Sequence, residues 1–139
     1  MNIIQQLKNE EGVIAHAYQD SLGFWTIGVG RLIDQRKGGM LYPEEIEYLL
    51  ANDVKRKTDE LRAALPWFDT LSEPRQGVLI GMGFQMGVKG LLAFVTTLSH
   101  VRVGRWAEAA VAMGESTWAR QTPQRAARLA RQMETGEWQ

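Results

Sequence analysis

Glu11, Asp20 and Thr26 are the residues of this chain whose types and spacing suit bond-breaking, in the order Glu-x8-Asp-x5-Thr. Cleaving a glycosidic bond calls for one carboxyl that holds its proton for the leaving oxygen and a second that stays ionised. Glu11 closes a helical segment, where the negative end of the helix dipole favours a proton-bearing carboxyl. Asp20 opens Asp20-Ser21-Leu22-Gly23, a turn in which a carboxylate accepts backbone N–H groups and keeps its charge. Thr26, on the strand returning from that turn, offers a hydroxyl that can share with Asp20 the positioning of a water. Taken one residue at a time, a plainer description holds: a helix-end acid, a turn former and a β-former. Spacing alone therefore leaves the function open. Other chemistries lack their parts. With no cysteine there is no thiolate nucleophile, disulfide or cysteine metal site, and His16 and His100 do not make a histidine-rich metal centre. No cofactor is expected.

The elements that must position these three residues can be read from periodicity. A chain of 139 residues suits one domain or two small lobes sharing a helix, and 45% hydrophobic residues support a core. Residues 2–11 follow a helical rhythm, with Ile3, Ile4 and Leu7 on one face, Asn2 as N-cap and Gly12 as the stop. Residues 13–33 are rich in β-formers punctuated by Gly23, Gly28 and Gly30, which predicts a small antiparallel hairpin. A second turn is expected from Asp34 to Gly39. Pro43 opens a long helix with acidic residues Glu44, Glu45 and Glu47 near its start. Its apolar stripe is Ile46, Leu49, Leu50, Val54, Leu61 and Leu65, and Pro66 ends it. A further helix starts at Ser72 and Pro74, and its segment from Val78 to Phe84 is apolar on every side, as a core helix is. Gly77 and Gly81 on that helix suit close helix packing. Shorter helices are expected at 94–103 and 105–113, and a last one from Thr122-Pro123 to Glu134, closing at Gly136. The fold class is α+β, mostly helical: a small β lobe (13–42), a connecting helix (43–65) and a helical lobe (1–12 with 66–139).

Charge and hydropathy narrow the partners. Sixteen basic and sixteen acidic residues cancel, which argues against a nucleic-acid binder driven by bulk charge. The distribution is uneven, −3 over residues 1–87 and +3 over residues 88–139, which suits a cleft for an anionic polymer or simply solvated arginines on helices. No apolar stretch reaches the roughly 18 residues of a membrane span, and Gln5, Gln6, Lys8, Glu10 and Glu11 interrupt any signal-like run. The expectation is a protein made in the cytoplasm, without membrane insertion.

At the level of ordered motifs the chain resembles the phage-type lysozymes of glycoside hydrolase family 24. The likeness runs through Met1-Asn2-Ile3, Glu11-Gly12, Tyr18, Asp20, Gly23 and Thr26-Ile27-Gly28-Val29-Gly30. It continues in Phe84-Gln85-Met86-Gly87, Arg105-Trp106, Glu108-Ala109-Ala110, Trp118, Gln121-Thr122-Pro123, Arg125-Ala126 and Thr135-Gly136-Glu137-Trp138. The resemblance implies a lysozyme-like two-lobe fold and hydrolysis of the β-1,4 bond between N-acetylmuramic acid and N-acetylglucosamine in peptidoglycan. It makes Glu11 the general acid and gives Asp20 and Thr26 the attacking water, or Asp20 the developing sugar cation. The family is described as inverting, which requires carboxyls roughly 6.5–9.5 Å apart. Arg125 matches a position whose guanidinium pairs with the catalytic glutamate, while Leu32, Phe84, Gln85 and Thr97 match glycan-contacting positions. Without the resemblance Phe84 reads as core and Gln85 as a buried amide in need of partners.

The departures are local. The stretch between Leu32 and Pro43 is shorter than in the T-even members and lacks a small helix. Arg31 stands where those members have an ion-paired histidine, with Asp69 and Thr70 in the partner region. Gly81 and Ala112 replace polar residues. The resemblance also implies a monomeric endolysin that reaches the wall from the host cytoplasm through a holin pore. Two alternatives remain: a lytic transglycosylase, which dispenses with the second acid, and a wall-binding module without turnover.

Overall fold

The computed structural model describes residues 2–34 and 39–139. The element order is α1 (Ile3–Glu11), β1 (Ile14–Gln19), β2 (Trp25–Gly28), β3 (Arg31–Leu32), α2 (Pro43–Ala64), a 3-10 turn (Phe68–Thr70), α3 (Glu73–Leu92), α4 (Val95–Arg102), α5 (Trp106–Gly114), α6 (Thr117–Gln121) and α7 (Pro123–Thr135). The mostly helical α+β expectation holds. By internal packing the chain divides into Met1–Leu49 and Leu50–Gln139, a division that counts α1 with the sheet. The sequence reading had grouped residues 1–12 with the helices.

In the first unit, α1 begins where the Asn2 side chain accepts the Gln5 N–H at 2.9 Å. It ends at Gly12, whose φ of 78° few side chains tolerate and whose N–H returns to the Lys8 carbonyl. Ile4 and Leu7 are exposed, so the expected apolar face of α1 is not a core face, and the Ile3 side chain lies outside the described set. The sheet runs β1-β2-β3, antiparallel throughout. Tyr18 pairs with Thr26 and Gln19 with Trp25, while an irregularity between Ile14 and Tyr18 shifts the register. The third strand was not foreseen: Leu32 pairs with Thr26 and Arg31 with Ile27. The expected turn across Asp34–Gly39 falls on residues 35–38, which lie outside the described residues.

α2 has the expected start and length, at 22 residues. Its stripe differs from expectation in its first half: Leu61 and Leu65 are buried, whereas Ile46, Leu49, Leu50 and Val54 are exposed.

The second unit is built around α3. Val78, Leu79, Met82 and Gly83 are buried, as an all-round apolar helix requires. Val78, Leu79 and Met82 join Phe68, Leu91, Val101, Ala109, Met113, Trp118, Ala126 and Met133 in one core. The α3 ladder is interrupted at Gly87, whose φ of 78° and ψ of 156° are not helical. A Cβ on Gly77 would lie 2.6 Å from the Trp138 ring, whereas one on Gly81 would meet only Leu129 at 3.9 Å. Close packing is thus demanded at Gly77 and not at Gly81. α7 has Pro123 in its first turn and ends at left-handed Gly136, as the sequence indicated. Thr122 does not cap it by side chain; its hydroxyl donates instead to the Trp118 carbonyl. Arg75 fastens α7 to α3 by donating to the carbonyls of Met133 and Glu134 at 2.9 and 3.0 Å. Its guanidinium also lies 4.0 Å from the Trp106 ring centroid, a cation–π distance. No single helix among the described residues is long and apolar enough to cross a membrane.

Candidate active site

Glu11, Asp20 and Thr26 all fall in the first unit, on the end of α1, the β1–β2 turn and β2. Asp20 builds the turn it occupies. Its Oδ1 accepts the N–H groups of Leu22 and Phe24 at 2.9 and 2.8 Å, its own N–H donates to the Phe24 carbonyl, and its carbonyl accepts the Gly23 N–H. Such an Asx-type arrangement fixes the carboxylate by main-chain donors. Among the described residues every hydrogen bond to that carboxylate ends on Oδ1, leaving Oδ2 as an acceptor.

Thr26 is 3% exposed. Its hydroxyl donates to the Phe24 carbonyl at 3.1 Å. With its proton so committed, the oxygen retains lone pairs for a second partner's hydrogen. Phe24 thereby joins the two candidate residues, giving its N–H to Asp20 and its carbonyl to Thr26.

Glu11 is exposed and approaches the turn between β2 and β3. A Cβ built on Gly30 would stand 2.8 Å from Glu11 Oε2 and 3.1 Å from its Cδ, so the carboxyl would have to shift away. Gly30 also has a φ of 64°, in the left-handed region. The glycine thus admits the carboxyl and makes the turn. It lies in the Thr-Ile-Gly-Val-Gly run of the sequence, but that run says nothing of which side chain packs against it. Leu32, the remaining candidate of this unit, pairs with Thr26 and borders an apolar cavity of about 840 Å³ that Ile27, Val29, Met40 and Leu41 also line.

The other matched residues stand in the second unit. Phe84 and Gln85 are exposed on α3, which corrects two readings made from sequence: Phe84 is not core, and Gln85 is not a buried amide. Gln85 Oε1 accepts the Trp118 indole N–H at 2.9 Å, so this amide satisfies the nearly buried tryptophan. Phe94 meets the same Trp118 ring edge-on, with centroids 6.0 Å apart. Thr97 is buried and lines a cavity of about 450 Å³ with Phe94, Ala112, Ser116, Trp118 and Gln121. Arg125 is exposed, and its Nη2 donates to the Gly81 carbonyl at 3.4 Å. Asp69, in the region where a partner for Arg31 was sought, instead accepts from Arg62 Nε at 2.8 Å. Arg31 pairs with Glu45, an acid that the sequence assigned only to the start of α2.

The phage lysozyme family matches residues 8–134 of this chain. The chain is 32% identical to probable T4-type lysozyme 1 of Dictyostelium discoideum, over 97% of its own length and 95% of that protein's. It is 29% identical to probable T4-type lysozyme 2 of the same organism, over 94% and 92% of the two lengths. It is also 28% identical to the pre-baseplate central spike protein Gp5 of Enterobacteria phage T4, over 98% of this chain but 28% of that longer protein. With a family match across nearly its whole length, the chain belongs to the phage lysozyme family and is a glycoside hydrolase of the muramidase type, acting on peptidoglycan.

Proposed function

We propose that this enzyme hydrolyses the β-1,4 bond between N-acetylmuramic acid and N-acetylglucosamine by inversion, with Glu11 as general acid. Glu11 gives its proton to the glycosidic oxygen as the C1–O bond breaks. A water attacks C1 from the opposite face of the sugar and passes a proton to Asp20, while Thr26 accepts the water's other hydrogen. The observation that carries this reading is the network around Phe24. Its peptide groups engage Asp20 Oδ1 and the Thr26 hydroxyl proton, which leaves Asp20 Oδ2 and the Thr26 oxygen as acceptors on the two residues it links. Exposed Phe84 and Gln85, with the cavity beside Thr97, supply glycan contacts in the second unit.

The test is a turbidity assay on outer-membrane-permeabilised bacteria combined with mass analysis of the products. Replacing Glu11 by Gln should slow clearing by about 10²-fold or more. Products should carry reducing ends with water incorporated. Equal clearing by wild type and Glu11→Gln would refute the assignment, and anhydro-muramic ends would make the enzyme a transglycosylase. The biological role that fits is host lysis by a monomer that accumulates in the host cytoplasm and reaches the wall once a holin opens the membrane. Fractionating a producing culture before and after membrane permeabilisation tests that route.

A further inference from the structure

β3 is two residues long and at the edge of the sheet, yet it borders two of the candidate catalytic groups. Gly30, directly before it, receives the Glu11 carboxyl, and Leu32, its last residue, is the register partner of Thr26. Two ladder residues do not hold a strand edge in place by themselves. What holds this one is Arg31. Its Nη1 and Nη2 engage the two carboxylate oxygens of Glu45, the latter at 2.7 Å, and Nη2 also donates to the Met40 carbonyl at 2.8 Å. Glu45 Oε1 in turn accepts the Tyr42 N–H at 2.9 Å, and the Tyr42 ring lies 5.7 Å from the guanidinium carbon. One planar fork thus ties β3 to the chain entering α2 and to the first turn of that helix. A lysine, with a single ammonium, cannot reproduce that bidentate geometry.

We propose that the Arg31–Glu45 pair is a positioning device for the catalytic hairpin: by fixing β3 it sets Gly30 under Glu11 and Leu32 opposite Thr26. The proposal rests on the muramidase reading above. The pair is partly exposed, and pairs of that kind contribute little to global stability. Its effect belongs in the placement of reacting groups, where an error of about 1 Å can cost 10²-fold in rate.

The experiment compares full-length wild type, Arg31→Ala, Glu45→Ala and Arg31→Lys, with Lys55→Ala removing the exposed Lys55–Asp59 pair of α2 as a control. On soluble glycan fragments, the two alanine variants should lose about 10-fold or more in kcat with KM changed less than about twofold. Arg31→Lys should recover part of that loss, and Lys55→Ala should match wild type. Hydrogen exchange gives a readout independent of turnover. The Ile33 amide, which donates to Trp25 O at 3.1 Å, should exchange about 10-fold faster in Arg31→Ala, while the amides of α3 stay protected. Unchanged kcat well below Tm, a rise in KM alone, or an unchanged Ile33 exchange rate would each overturn the proposal. Should Glu11→Gln keep the wild-type rate, the catalytic reading would fall, and the exchange measurement would still decide whether Arg31 holds the strand.

Discussion

One absent carbon, at position 30, sets how near the carboxyl of Glu11 can come to the hairpin. Replacing Gly30 by Ala places a methyl 2.8 Å from Oε2 and asks an L-residue to adopt a φ of 64°. The backbone cost is about 1–2 kcal/mol, and the displaced acid should lower kcat by about 10-fold or more. Thermal unfolding and steady-state kinetics on one preparation separate the two. Asp20 has a structural duty besides the chemical one proposed for it, because Leu22 and Phe24 donate to it. Asn retains a carbonyl oxygen for those donors but carries no charge. Asp20→Asn should therefore keep Tm close to wild type while turnover collapses, whereas Asp20→Ala should lose both. If Asn at this position were fully active, the residue would be a turn former only.

At the scale of elements, the join between α3 and α6 depends on a residue that sequence reasoning misplaced. Gln85 looked like a buried amide because it follows an apolar run; it is exposed and serves the Trp118 indole. Gln85→Ala should destabilise the protein by about 1–2 kcal/mol through the unpaired buried N–H, read by urea unfolding. The start of α2 carries a pH signature. Arg31 and the Tyr42 N–H hold the Glu45 carboxyl below the ordinary glutamate range. A lowered folded-state value means that the pair's stabilisation is present above that range and fades as pH falls through and below it. The Tm difference between wild type and Glu45→Gln should accordingly narrow under acid conditions. Legibility followed length and local chemistry. The caps at Asn2, Gly12 and Gly136, the Asp20 turn and the proline-led helices were readable because each is determined by neighbours a few residues away. β3 has two residues and α6 has five, too few for any period to register. The pairing of Arg31 with Glu45 spans fourteen positions, a choice of partner that spacing cannot make.

Across the whole molecule, packing is distributed very unevenly. Every buried apolar residue among those described lies between Leu61 and Met133. The first unit, which carries Glu11, Asp20 and Thr26, is instead held by turn hydrogen bonds, a short ladder and one guanidinium. Its amides should exchange through local openings at lower free energy than those of α3, and exchange mass spectrometry by segment will show whether the two classes separate. Conversely, Leu79→Ala in the core should cost about 2–5 kcal/mol and leave kcat unchanged at temperatures where the protein stays folded. The resemblance made Glu11, Asp20 and Thr26 legible as a set. Nothing in the sequence foretold that the site-bearing unit would have so little interior of its own.

The fastening by Arg75 bears on how the protein is made. Its acceptors, the carbonyls of Met133 and Glu134, lie 58 and 59 positions downstream, and the Gln132 amide reaches back to Pro74 over the same span. During translation the helical unit therefore cannot close until its final helix has emerged from the ribosome. A nascent chain with its hairpin already formed would still lack the scaffold that completes the helical unit, so activity should appear only after α7 has emerged rather than build up along the growing polypeptide.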